Sequence, residues 1–177
     1  MLTASDREAG YARQMQQLTE AQIRDAFVNA SRKEVSDLTL LPGFHDVDWE
    51  RRDYLGWTDP KLGRRAYAVI PVDGDLVAIM FERARKLPTR RAMCSWCEDV
   101  TLPNDVVFYS AKRTGDAGRR GDTVGTLVCA EFECSTNVRR LPTSAYIGYD
   151  REAAREQRKE NLRMRAASFA RNLRDGV

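Results

Sequence analysis

The alternation of hydrophobic and polar positions first becomes regular at LTEAQIRDAFVNASRKEV, residues 18–35. Thr19 followed by Gln22 has the pattern of a capping box, and Leu18 with Ile23 has the spacing of a hydrophobic staple. Ile23, Ala26, Phe27 and Ala30 then recur at helical spacing. The pattern predicts one helix over 19–35 with a single buried stripe, preceded by a flexible tail over 1–16. The stretch LPGFHDVDWERRDYLGWTDPKLGRR, residues 41–65, is rich in turn formers and predicts loops, with Trp49 and Trp57 as core candidates. RAYAVIPVDGDLVAIMFER, residues 65–83, reads as two strands around Asp73-Gly74, the strongest hairpin signal in the chain. Its Val69, Val72, Leu76, Val77, Ile79 and Phe81 are expected to pack on the first helix.

Beyond this hairpin, VVFYSAKR predicts a strand, TGDAGRRGDTVG a Gly-rich connection, and TLVC a second strand leading to a short helix. A long helix follows from an N-cap at Asp150 to near Arg174, with Gly176 just past its end. Leu162, Phe169 and Leu173 form its apolar side, and Glu156–Lys159 and Glu160–Arg163 pairs support its exposed face. The expected fold class is therefore α+β: an N-terminal helix on a small antiparallel sheet over 17–90, a cysteine-bearing segment over 91–148, and a C-terminal helix over 149–177. No internal repeat or low-complexity stretch interrupts this order.

Composition narrows the class. A chain of 177 residues with 42% hydrophobic and 31% charged residues fits one ordinary domain. Mean hydropathy is −0.55, and the strongest apolar runs, YAVIPV and LVAIMF, are strand-sized, well short of the roughly 20 residues that span a bilayer. The start, MLTASDREAGYARQ, is charged and has no apolar signal region, which predicts a cytoplasmic location. The net charge of +3 hides an asymmetry: residues 1–82 hold 10 Lys/Arg against 14 Asp/Glu, and residues 83–177 hold 19 against 12. A basic second half suits an acidic partner, either nucleic acid or a protein surface.

The four cysteines are the strongest chemical signal. Cys94-x2-Cys97, in RRAMCSWCEDV, has the spacing of a zinc knuckle, and Cys129-x4-Cys134 supplies a second pair. Five positions along a regular helix turn a side chain by about 140° net, so the second pair diverges within a helix. It converges only if Cys129 ends a strand and Cys134 enters the first turn of a helix. A knuckle, a hairpin and a pair at a helix start make a treble clef, and a closed four-thiolate site holds a structural zinc. A redox CxxC and four ordinary buried thiols are the alternatives; the first is disfavoured because CSWCEDVTLPND runs into a turn instead of opening a helix.

Catalysis finds little support. The single histidine, His45, stands next to Asp46 and Asp48 with no recognisable nucleophile partner, and the carboxylates of HDVDWERRD are interleaved with Arg51 and Arg52. GRRGDTVG lacks the Lys-Ser/Thr of a phosphate loop and the dinucleotide fingerprint. A non-enzymatic role is expected.

Several of these stretches in this order resemble one family: LGW-D at 55–59, RRAYAVIPVDG at 64–74, the Cys94–Cys97 knuckle, VVFYSAKR, and G-x-x-x-C-x4-C ending at Cys134. Together they resemble the elongation factor G-binding proteins, whose best-known members are the FusB-type fusidic-acid resistance proteins with a C-terminal treble-clef domain. The capped helix at 19–35 resembles the helix that opens that domain, so the likeness spans roughly residues 18–170. It implies zinc ligation by Cys94, Cys97, Cys129 and Cys134, and binding to elongation factor G at the ribosome. It also places Phe108 where the family has a partner-contacting Phe, and Phe169 near a second such aromatic. Three departures are visible. Leu127 stands where the resistance proteins have a Tyr, the basic residues Arg119 and Arg120 lie further upstream than the family's Lys, and the second cysteine pair is one residue narrower. The resistance proteins also carry a helical bundle before this domain, where a short tail is expected here. The resemblance therefore extends to factor binding and not to drug resistance.

The expected docking face combines Phe108 or Tyr109 with Lys112, Arg113, Arg119, Arg120, Arg139 and Arg140, since aromatics and Arg dominate interfaces. Strand alternation sends one of Phe108 and Tyr109 into the core without saying which. The alternative is RNA or ribosome binding by the treble clef, with bases stacked on Tyr109 or Trp96.

Overall fold

The computed structural model describes residues 15–99, 101, 104–143 and 145–176. The expected tail over 1–16 falls mostly outside them, but Met15 is buried with Leu18 in the core, so ordered chain already begins within that stretch. Among the described residues the strands form one antiparallel sheet in chain order: β1 (Leu55–Thr58), β2 (Arg65–Val72), β3 (Asp75–Arg83), β4 (Val106–Lys112) and β5 (Thr123–Cys129). The helices are α1 (Glu20–Asp25), α2 (Arg32–Ser36), α3 (Gly115–Arg119), α4 (Cys134–Val138) and α5 (Arg151–Asp175). Among the described residues no helix is long and apolar enough to cross a membrane. The α+β class expected from the sequence is the class observed.

The hairpin at Asp73-Gly74 forms as the sequence predicts. Both residues have positive φ, 53° and 93°, which is the backbone of a type I′ turn, and the pairing runs from Val72↔Asp75 to Arg65↔Glu82. The long helix is also as expected: the Asp150 carboxylate accepts from the Ala153 N–H at 2.9 Å, and Gly176 ends the helix in the left-handed region. Its last carbonyls are covered by the segment that leaves β4. Arg113 donates to the Asn172 carbonyl, and the Thr114 hydroxyl donates to that of Arg174 at 2.7 Å.

The single helix expected over 19–35 is instead two short ones. The Thr19–Gln22 capping box starts α1 as predicted, but a second box, Ser31–Glu34, starts α2. Between them the chain pairs with the sheet: Ala78 N–H donates to the Ala26 carbonyl and Val28 N–H to that of Ala78. Asn29 completes the join, its amide accepting from Met80 N–H and donating to the carbonyls of Met80 and Lys112. The reason lies in β3, which pairs with β4 only at Glu82↔Ser110 and Arg83↔Tyr109. The rest of that edge of β3 needs backbone partners, and residues 26–29 supply them. Helical spacing is a weak local preference that these long-range bonds override.

The sheet has two differently covered faces. Phe81, expected against the first helix, lies on the opposite face, stacked on Phe169 of α5 at 5.8 Å between ring centres. There it joins Tyr54, Trp96, Tyr109 and Phe132 in one aromatic cluster. On the other face Phe27 meets Tyr67 edge-on, and Trp57 packs on Tyr67 and donates from Nε1 to the Thr39 carbonyl at 3.0 Å. Trp57 is therefore core, while Trp49 is half-buried against Phe44.

One tight approach constrains this packing. Phe132 is buried with a positive φ of 57°, and its ring lies directly over Gly56 of β1. A Cβ at Gly56 would sit 2.5 Å from the ring carbon Cγ. Gly56→Ala is therefore expected to lower stability by about 1–3 kcal/mol, the usual cost of overpacking, measurable as a lower urea midpoint with unchanged zinc content.

Candidate metal centre

The four cysteines come from three local structures. Cys94 and Cys97 sit in the turn after β3, where the N–H groups of Trp96 and Cys97 both point at the Cys94 sulfur, each at 3.4 Å. Cys129 is the last residue of β5 and Cys134 the first of α4. The second pair therefore converges across a strand-to-helix transition, as its spacing requires. Phe132, in the left-handed region between them, makes the turn.

All four Sγ atoms lie within 4.8 Å of one another and are buried. Cys94–Cys134 and Cys97–Cys129 are each separated by 3.6 Å. A disulfide needs about 2.05 Å, whereas the edge of a tetrahedron with zinc–sulfur bonds near 2.3 Å is about 3.8 Å. The surrounding donors fit thiolates as well. Asn137, buried in α4, directs its Nδ2 at the sulfurs of Cys129 and Cys97, at 3.4 and 3.7 Å. The Tyr54 hydroxyl is buried beside the Cys134 thiol with no conventional hydrogen-bond partner, and a Cys134 thiolate would accept it. Burial, and then the neighbouring cysteines, hold the Tyr54 phenol well above its ordinary pKa, so it remains a donor.

Four thiols this close cannot all ionise without a cation. Hydrogen bonds from Cys129 and then Cys134 draw the Cys94 and Cys97 thiols below their ordinary pKa, while burial pushes that of Cys134 well above it. A divalent ion removes this conflict by compensating all four charges. The donor set is closed and all-sulfur, which defines a structural zinc site. A helix-opening redox pair is ruled out by the turn geometry at Cys94–Cys97.

A buried ion-pair network stands beside this centre. The Asp53 carboxylate is fully enclosed and accepts from both Arg139, just past α4, and Arg163 of α5, the latter at 2.9 Å. The Asp53 N–H donates to Ser135 Oγ at 3.0 Å. One acid thus ties the segment before β1 to the zinc-bearing helix and to α5. Arg158 of α5 adds an ion pair with Asp99, after the knuckle, at 2.7 Å. Neither Asn137 nor Asp53 was singled out from the sequence. Asn137 could have been found, because its position three residues after Cys134 places it on the same side of α4.

The expected docking residues do not form one face. Tyr109 is core at 1% exposure, its hydroxyl donating to the Ala130 carbonyl at 2.8 Å, whereas Phe108 is 44% exposed. Phe169 is half-buried against Phe81. Arg139 is committed to Asp53 and Arg113 to the end of α5. Arg119 and Arg120 pair with Asp116 and Asp122 at the tip of the β4–β5 hairpin. That tip and the zinc-side Arg139 and Arg140 lie at opposite ends of seven-residue strands, about 20 Å apart. Lys112 and Arg140 are exposed. Trp96 is buried, so neither it nor Tyr109 offers a face to a stacked base. His45 is exposed beside Phe44 and takes no part in the four-cysteine cluster.

Knuckle, hairpin and helix around four buried thiols define a treble-clef zinc protein. More particularly, the FBP C-terminal treble-clef zinc-finger family model matches residues 22–173, and the chain belongs to that family. Among solved structures, one described as the fusidic acid resistance protein FusC is similar at 19% identity and a TM-score of 0.44, covering 61% of this chain and 52% of that one. The similarity thus takes in about half of that protein's length. A search of curated proteins found no match.

Two outcomes test the centre. Metal analysis should find one zinc per chain, and its removal by a strong chelator at neutral pH should abolish cooperative unfolding. Such sites contribute apparent free energies of about 10–16 kcal/mol, more than the typical net stability of a domain at about 5–15 kcal/mol. Asp53→Asn should destabilise the zinc-loaded protein by about 3–5 kcal/mol, because it leaves two guanidinium groups facing an uncharged amide in a buried site. Thermal melts at equal zinc loading would measure that loss.

Proposed function

We propose that this domain is a non-enzymatic, zinc-stabilised docking module that acts on elongation factor G or the translating ribosome in the cytoplasm. The supporting observation is Phe108. The tip of its ring lies against Gly125 on β5, so closely that any side chain there would displace it. Its partner across the strands is Leu127, on the same face of the sheet. A large aromatic held rigidly against a sheet while 44% exposed has the character of an interface anchor. Membership of the zinc-finger family, together with the resemblance of the chain's motifs to the elongation factor G-binding proteins, supports the choice of a translation factor as partner. RNA binding is the weaker reading, since the residues expected to stack bases are in the core.

The test is a pull-down and calorimetry of zinc-loaded protein against elongation factor G at low and high salt. Binding should persist at high salt, as expected for an apolar-centred interface. Phe108→Ala should weaken it by about tenfold or more, equivalent to about 1.4 kcal/mol per tenfold. Zinc content should stay unchanged and the variant should still melt cooperatively, with only a small drop in melting temperature, because the ring is 44% exposed and not part of the core. No binding, or binding indifferent to Phe108→Ala, would overturn the proposal.

A further inference from the structure

The charge expected to surround the exposed aromatic is found in an unexpected segment. Between Glu82 and Glu98 the chain has no acidic residue and five basic ones, Arg83, Arg85, Lys86, Arg90 and Arg91. Most of them lie in the loop that joins β3 to the zinc knuckle. That loop is anchored at both ends beside the apolar pair already described. At its start the Ala84 N–H donates to the Phe108 carbonyl at 2.9 Å, and at its end the Ser95 N–H donates to that of Leu127 at 2.8 Å.

Arg85, Lys86 and Arg90 are exposed, and among the described residues none of them forms an ion pair. This contrasts with the arginines of the hairpin tip, which are neutralised by Asp116 and Asp122. Leu87, between the cations, is 54% exposed. The loop therefore presents uncompensated positive charge together with apolar side chains, next to an anchored aromatic. We infer that this loop, with Phe108 and Leu127, is the surface on which the domain receives an acidic protein segment carrying apolar side chains. The inference deepens the docking reading above and rests on it.

Charge complementarity decides the sign of the partner, and the apolar content decides its class. A phosphate-tracking surface relies on cations and planar rings. Here Phe108 supplies the one aromatic ring of the proposed surface, and its neighbours Leu127 and Leu87 are branched aliphatic groups that stack poorly on bases but fit the apolar side chains of a protein. The unpaired cations lie in the loop whose two ends are bonded to this pair, where they would steer encounter and set orientation.

The test compares two charge-reversed proteins, Arg85→Glu/Lys86→Glu/Arg90→Glu and Arg119→Glu/Arg120→Glu, with the unmodified chain. Each is titrated with elongation factor G and, separately, with single-stranded polyuridylate. All substituted positions are exposed, and zinc content and melting temperature verify the fold. The loop variant should bind elongation factor G about tenfold more weakly, with the tip variant within about twofold of the unmodified chain. Exchanging the loop residues conservatively, Arg85→Lys with Lys86→Arg and Arg90→Lys, should keep most of the affinity. If the unmodified protein binds the factor and the loop variant binds equally well, the inference falls and the docking reading stands. If the unmodified protein does not bind the factor, both fall. Loop-dependent binding of polyuridylate in place of the factor, steeply weakened by salt, would assign the same loop to RNA and overturn the choice of a protein partner.

Discussion

Four sulfur atoms within 4.8 Å of one another hold together parts of this chain that local interactions would not keep in place. The knuckle after β3, the end of β5 and the start of α4 are each short, and α4 has only five residues. A helix of that length is not stable alone in water. Its orientation is set by Cys134 at its first position and by Asn137 one turn on, which faces the sulfurs of Cys97 and Cys129. The metal centre therefore orders the small elements, and the aromatic cluster of Tyr54, Trp96 and Phe132 is assembled around it. Residues that feel the metal directly also line the core.

Asp53 extends that order outward. Its carboxylate sits where the segment before β1, the end of α4 and the middle of α5 meet, and it compensates one guanidinium from each helix region. A buried group of this kind contributes little net stability compared with well-packed apolar residues, but it allows very few alternative arrangements. α5 is thereby fixed to the zinc side by Asp53 and Asp99, and to the far end of the hairpin by Arg113 and Thr114. The sheet between them has little freedom to shift. Phe108 is then displayed on a rigid support, which would lower the ordering cost of the docking proposed for it.

Much of the metal centre was legible in advance because its signals are short-range. A Cys-x2-Cys knuckle needs only one turn, and the geometry of a five-residue step shows where a strand must stop and a helix begin. The Asp73-Gly74 turn and the Asp150 and Gly176 caps are local in the same sense, since each depends on the backbone preferences of one or two residues. Asp53 gave no such signal. Its partners are 86 and 110 positions away, so no window of sequence contains the interaction. The basic loop at 85–91 was present in the charge count, but only the hydrogen bonds of Ala84 and Ser95 place it beside Phe108.

The chain by itself determined the zinc ligands, the α+β order of elements, the β2–β3 hairpin and the long terminal helix, because these follow from caps, turns and ligand spacing. Tertiary structure decided where local preferences tied or lost. Phe108 and Tyr109 are equivalent as neighbours in a strand, and only the placement of α5 and Phe132 on one face made Tyr109 core. The helical spacing of residues 23–30 was real but weak, and it yielded to the unpaired edge of β3, whose buried backbone groups must find partners. Periodicity reports which face a residue shares with its neighbours. Which face meets the core is settled by contacts that close over many residues of chain.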